Sequence, residues 1–270
     1  SRLYDSTTTA SSSILTITSG VSGESLSLTG SGVLGAASAG TQTITNNNTL
    51  AIADGSGGLA SNYTLSGATI NVTIIPRTLN VSLSREYDGT TSVSGSSLTP
   101  TFDSLQGGET LALSGTGSVS TANVGSSKAV SLGSIALVAG SGNPSNYSLN
   151  SATMNVTKRV INLDGIRAYD ATTNVLSSDI NTFGNIVSGE TLTISGTGSV
   201  GTNSVAMNKA ITIGSLSLGN GSGLASNYTL TGGTHTFDIS PVSVNVTGSR
   251  QYNGTNIIAV SYTHQTLPTK

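Results

Sequence analysis

The chain has no cysteine and no tryptophan in 270 residues, and only 8% of it is charged. Without cysteine neither a disulfide scaffold nor a thiolate metal site can form, a usage common in extracellular bacterial chains. Ten Lys and Arg against twelve Asp and Glu leave a net charge of −2. That is no electrostatic footprint for nucleic acid or an anionic membrane surface, so neither is expected as a partner. No apolar run approaches the ~20 residues of a membrane span. Ser1 opens inside a repeat with no signal peptide before it, and the reading is of a segment from a longer protein.

What the chain does have is one sentence written three times and begun a fourth. Arg-x-Tyr-Asp/Asn stands at Arg2-Leu3-Tyr4-Asp5, Arg85-Glu86-Tyr87-Asp88, Arg167-Ala168-Tyr169-Asp170 and Arg250-Gln251-Tyr252-Asn253, at steps of 83, 82 and 83 residues. Self-similar text at a fixed period is the mark of a tandem array. Each copy is followed by Gly-Glu and an alternating run, at Glu24, Glu109 and Glu190, and then by Ser-Asn-Tyr at Tyr63, Tyr147 and Tyr228. Pro76, Lys158 and Pro241 each stand nine residues before the next Arg. Cutting there gives units 1–75, 76–157 and 158–240, with a fourth fragment from 241. On that frame unit one lacks its opening strand, and the fragment is little else.

Apolar residues alternate with Ser, Thr and Asn, as Leu79, Val81 and Leu83 do between Thr78, Asn80 and Ser82. Period-two alternation broken by glycine clusters predicts half-buried antiparallel strands, and a disordered tract has no reason to keep that register. The expected fold is all-β: a tandem array of small antiparallel sandwich-like units of five to seven short strands, with a β-solenoid as the alternative.

Charge is scarce, yet four of six Arg and three of four Glu fall on the landmarks. The candidate set is Arg2, Tyr4, Asp5, Glu24, Arg85, Tyr87, Asp88, Glu109, Arg167, Tyr169, Asp170 and Glu190, together with Tyr63, Tyr147 and Tyr228. One reading makes it a ligand site in every unit. The favoured one makes it a structural polar cluster in which Arg pairs with Asp or Glu under a Tyr ring and fixes how strands or units meet.

Other residues read as structural. His235, counted from the Asn-Tyr landmark, falls at the place of Ile70 and Met154, a face position and not an acid, base or ligand. Gly30-Ser-Gly32-Val-Leu-Gly35 and Gly196-Thr-Gly198-Ser-Val-Gly201 fit the dinucleotide fingerprint, but no helical pattern follows them. Asp54-Gly-Ser-Gly has the look of a cation loop, yet unit three has Gly219 at that place. Asn71-Val-Thr73, Asn155-Val-Thr157 and Asn245-Val-Thr247 are weak glycosylation signals in strands rich in Asn and Thr. No nucleophile-elbow, zincin or phosphate-loop motif occurs. No catalytic residue, cofactor or metal is expected, and the chain is read as a non-enzyme.

The run Arg85-x-Tyr87-Asp88-Gly89-Thr90-Thr91, with Gly108-Glu109-Thr110, Ser145-Asn146-Tyr147 and the next opening strand, resembles the YDG-type members of the mostly-β, glycine-rich (MBG-like) repeat domains. These occur in large secreted bacterial adhesins of the filamentous-haemagglutinin-like kind. The resemblance spans residues 1 to about 256, with Ser6 and Ala171 replacing the motif glycine and Asn253 its aspartate. It implies a secreted, cell-surface, monomeric array serving as a stalk, with any host or biofilm glycan or protein bound by other parts of the full-length chain. The rival reading is a weak, multivalent carbohydrate-binding array, though there is no Trp and seven of eight Tyr sit at landmarks. From Ile257 the text leaves the repeat and looks like a translated sequencing-adapter tail, so nothing is read from Tyr262 or His264.

Overall fold

The computed structural model describes residues 1–252 and 254–256; the tail from Ile257, with Tyr262 and His264, lies outside the described residues, as does Asn253. The chain is all-β, with 3-10 turns as its helical elements among the described residues. No helix there is long and apolar enough to cross a membrane.

Unit two sets the pattern. Its opening strand, Arg77–Glu86, lies between the closing strand Tyr147–Thr157 and the short strand Thr101–Phe102. The sheet continues outward through Gly125–Ser131 and Thr116–Val119 to Ser92–Ser94. A second, two-stranded sheet joins Leu111–Ser114 to Ala136–Ala139. Between the two sheets lie Val81, Leu83, Val93, Leu113, Val119, Val130, Met154 and Val156, all buried. The alternation of the opening strand therefore does what a period of two requires: Leu79, Val81 and Leu83 face inward while Thr78, Asn80 and Ser82 face water. Removing each of those three from water contributes roughly 1.5–3 kcal/mol.

The sheets are mixed where the sequence suggested antiparallel ones. Opening and closing strands run parallel: Val81 lies opposite Ala152 and Arg85 opposite Val156 in unit two, and Arg167 opposite Ile239 in unit three. Unit one shows the same pairing over two residues, Arg2–Leu3 against Ile74 and Ile75. A chain whose first and last strands are parallel enters at one end of a unit and leaves at the other, which is what units joined in series need. Every sheet closes within one unit, so the arrangement is a row of domains and not a solenoid.

The glycine-rich stretches are corners. Gly115, at φ +77°, joins a strand of the small sheet to one of the large sheet, and a Cβ there would collide with the carbonyl oxygen of Ser134. Gly30 and Gly196 make the same corner against Thr49 and Ser215. No helix follows any of them, and the dinucleotide pattern is chance overlap with this turn.

Two positional equivalences change. Tyr147 to Val156 is two residues shorter than Tyr228 to Ile239, so pairing puts Phe237, not His235, in the place of Met154: Phe237 lies opposite Lys209 as Met154 lies opposite Lys128. His235 matches Ala152 instead. It is buried, accepts the Leu163 amide at Nδ1 (3.1 Å) and shares Nε2 with the Leu230 carbonyl (2.8 Å). Likewise Asp54, paired with Leu26, corresponds to Asn220, paired with Leu192, and not to Gly219. Both cap a 3-10 turn, Asp54 accepting the Ala60 amide at 2.7 Å and Asn220 the Ala225 amide at 2.8 Å. Asn155 is likewise used by the fold, accepting the amide of Ser127 in a bulge at 2.7 Å.

The candidate site: a junction between repeats

The landmark residues separate into two clusters. The first closes the turn after each opening strand. Asp88 accepts the Thr90 amide at 2.9 Å and its hydroxyl at 3.1 Å, an Asx turn that leaves Gly89 at φ +76°. Arg85 pairs with Asp88 at 3.2 Å and donates to the carbonyls of Thr90 and Ser92. Arg2 with Asp5, and Arg167 with Asp170 at 3.0 Å, repeat the arrangement. Ser6 and Ala171 take the glycine position at φ 62° and 67°, a left-handed conformation that costs a residue with a Cβ about 1–2 kcal/mol. Hydrogen bonds from Thr172 hold the Asp170 carboxyl below its ordinary range, with Arg167 adding to the effect.

The second cluster lies between units. The turn throws Tyr87 forward onto unit three, where its hydroxyl donates to Glu190 Oε1 at 2.6 Å. Tyr228 of unit three donates to the other oxygen, Oε2, also at 2.6 Å. The rings of Tyr87 and Tyr228 meet edge to face, centroids 5.4 Å apart at 82°. One junction earlier the geometry is the same. Tyr4 and Tyr147 donate to the two oxygens of Glu109, each at 2.5 Å, with rings 5.3 Å apart at 77°. Thus Arg pairs with Asp inside a unit, and Glu takes tyrosine hydroxyls from both sides of a boundary.

A third contact recurs. The amide of Ala39 in unit one donates to Asn146 Oδ1 at 2.8 Å, and that of Val124 in unit two to Asn227 Oδ1 at 3.0 Å. Asn146 and Asn227 are the landmark asparagines, and both are buried. Neither was singled out from sequence, although each precedes a singled-out tyrosine. Across the first junction Leu79, Leu111 and Tyr147 of unit two share one apolar cluster with Tyr4, Leu34 and Ile74 of unit one.

Chemically the arrangement is saturated. Both oxygens of Glu109 and of Glu190 are engaged, leaving neither free as base or nucleophile. Burial, then the bond to Glu109, pushes the Tyr4 phenol up to about 12. The Tyr228 phenol rises for the same two causes, burial and then Glu190. These phenols stay protonated at neutral pH and act as donors. At the outer ends the half-sites stand alone: Tyr63 donates to Glu24 Oε2, and Tyr169 is 42% exposed where Tyr4 and Tyr87 are 3% and 5% exposed.

Series-linked all-β units, each with this turn and this junction, define a tandem repeat array. The YDG domain family model matches the chain three times, over residues 1–72, 71–154 and 157–236. The chain belongs to that family. No curated protein and no solved structure matches it.

Proposed function

We propose that the chain is a stalk segment of a secreted bacterial surface adhesin, holding a binding tip away from the cell. The observation that carries this reading is the repetition of the Tyr–Glu–Tyr junction at both boundaries between units. A ligand site can sit anywhere on a unit, whereas a group that takes one hydrogen bond from each side of a boundary serves the boundary. Parallel opening and closing strands support the same reading, because they carry the chain from one end of a unit to the other. The outer faces, rich in Ser, Thr and Asn with a net charge of −2, suit a spacer that attracts little. Catalysis has no place in the role. Small-angle scattering of residues 1–256 tests it: a stalk gives a radius of gyration well above the ~18 Å of one compact domain of that length. A value near ~18 Å contradicts it.

A further inference from the structure

Each internal junction has a lower half, from the end of one unit, and an upper half, from the start of the next. The lower half is a turn tyrosine and a loop amide, as in Tyr87 and Val124; the upper half is a Glu–Tyr pair and an asparagine, as in Glu190, Tyr228 and Asn227. The ends of the described chain hold one unused half of each kind. At the start, Glu24 bonds Tyr63 through Oε2, while Oε1, the oxygen that takes Tyr4 on Glu109 and Tyr87 on Glu190, has no hydrogen bond among the described residues. Asn62 beside it is exposed, where Asn146 and Asn227 are buried. At the other end Tyr169 is 42% exposed, and Val205, the counterpart of Val124, is 49% exposed.

From this complementarity we infer that the face carrying Tyr169 and Val205 docks on the face carrying Glu24, Tyr63 and Asn62 of a second copy of this chain. The new contact is continuous in kind with the two inside the chain: Tyr169 donates to Glu24 Oε1, and the Val205 amide donates to Asn62. Because the two faces differ, each copy keeps a free face of each kind, so association is head to tail and open-ended. This departs from the monomeric array expected from sequence.

The segment after unit three has a part in the same contact. Aligned on Arg85 and Arg250, Val244 and Val246 stand where Leu79 and Val81 stand in the opening strand of unit two. Leu79 and Val81 are buried against the closing strand, whereas Val244 and Val246 are 82% and 89% exposed and in no strand. In unit one the outer edge of Asn71–Ile75 is paired at Ile74 and Ile75 alone. Beside it, at the place where Leu149 meets Leu79 in unit two, a depression of about 470 Å³ is lined by Leu50, Ile52, Tyr63 and Leu65. The valine row of one copy fits that edge of the next by strand addition. One feature weakens the contact relative to the internal ones: a Cβ at Gly89 would stand 2.9 Å from Val187, and the corresponding pair across copies is Ala171 and Val21.

Sedimentation velocity of the 270-residue chain, from micromolar to millimolar concentration, tests the inference. The weight-average mass is expected to rise with concentration without a plateau at dimer. Tyr169→Ala and Glu24→Ala should each raise the dissociation constant about tenfold or more. Neither residue serves an internal junction, and Tyr169→Phe, which removes one hydroxyl, guards against a folding defect. Mixing Tyr169→Ala with Glu24→Ala leaves one compatible pair of faces, so the mixture should form dimers and stop. Ala171→Gly should tighten association. A chain monomeric throughout, growth indifferent to both variants, or a mixture that does not stop at dimer overturns the inference. The stalk reading survives that result, since an extended monomer still passes the scattering test.

Discussion

The two internal junctions share a centre and differ at the rim. Both hold a glutamate between two tyrosines, rings edge to face, with an asparagine accepting a loop amide. Around that centre little is kept. At the second junction Arg159 pairs with Glu86 at 3.5 Å, donates to the Tyr87 carbonyl at 3.3 Å and bonds Asn185. At the first, Leu3 stands where Glu86 would, and Arg77 bonds only the Tyr4 carbonyl, at 2.9 Å. Asn227 gains a bond to Asn123 at 3.0 Å, where unit one has Ser38. Gly89 packs under Val187, whereas Ser6 lies over Gly107. The difference teaches which contacts define the boundary: the buried, charge-assisted centre recurs, and the half-exposed rim drifts because ion pairs there contribute little.

The largest break in the comparison comes from alkaline pH, because it attacks what the junctions share. The phenols of Tyr4, Tyr87, Tyr147 and Tyr228 are all raised above their ordinary value of 10.0, by burial first and by the bonded glutamate second. A raised folded value means stability that is complete below the unfolded value and lost as pH rises through the folded one. Both junctions should therefore hold below pH 10 and open together as pH climbs toward and past the Tyr4 value of about 12. Thermal melts across that range, read beside tyrosinate absorbance, check the coincidence. Opening of one junction well before the other would show that their centres are not equivalent.

A smaller effect sharpens the contrast between turns. Gly89→Ala adds a Cβ at φ +76° that meets Val187 at 2.9 Å, and should cost about 2 kcal/mol at the second junction. Ala171→Gly removes the same left-handed penalty and should stabilise unit three by about 1 kcal/mol. Denaturant unfolding reads both, and effects of the same sign would contradict the geometry. Smallest is the rim: Glu86→Gln removes a partly exposed ion pair and should cost less than about 0.5 kcal/mol, with the first junction untouched.

Much of the fold was legible in the chain. The alternation of Leu79, Val81 and Leu83 gave the inward face of the opening strand, and the recurring Arg-x-Tyr-Asp gave the array. The parallel partner of that strand was not legible, because it lies some seventy residues on and pairing across such a gap leaves no local pattern. Counting from a landmark misplaced His235 because the loop before the closing strand varies by two residues between units, and one uncounted insertion shifts every later equivalence. At the candidate site the scarcity of charge pointed to the landmark residues, but charge alone suggests that Arg is the partner of Glu. That Glu109 and Glu190 each take two phenols follows only once opposite ends of neighbouring units are brought together; the recurrence of a Tyr after each Asn was the one available signal.

The most direct test of the junction is a double-mutant cycle between Tyr87 and Glu190, residues 103 apart in sequence and 2.6 Å apart at their bonding atoms. Tyr87→Phe, Glu190→Gln and the double variant are unfolded with denaturant, and the coupling between the two substitutions is read from the three losses. The account predicts a coupling of about 1.5 kcal/mol or more, the contribution of a hydrogen bond to a charged group. Losses that simply add would contradict it, and would mean that units two and three meet without the glutamate holding the tyrosine.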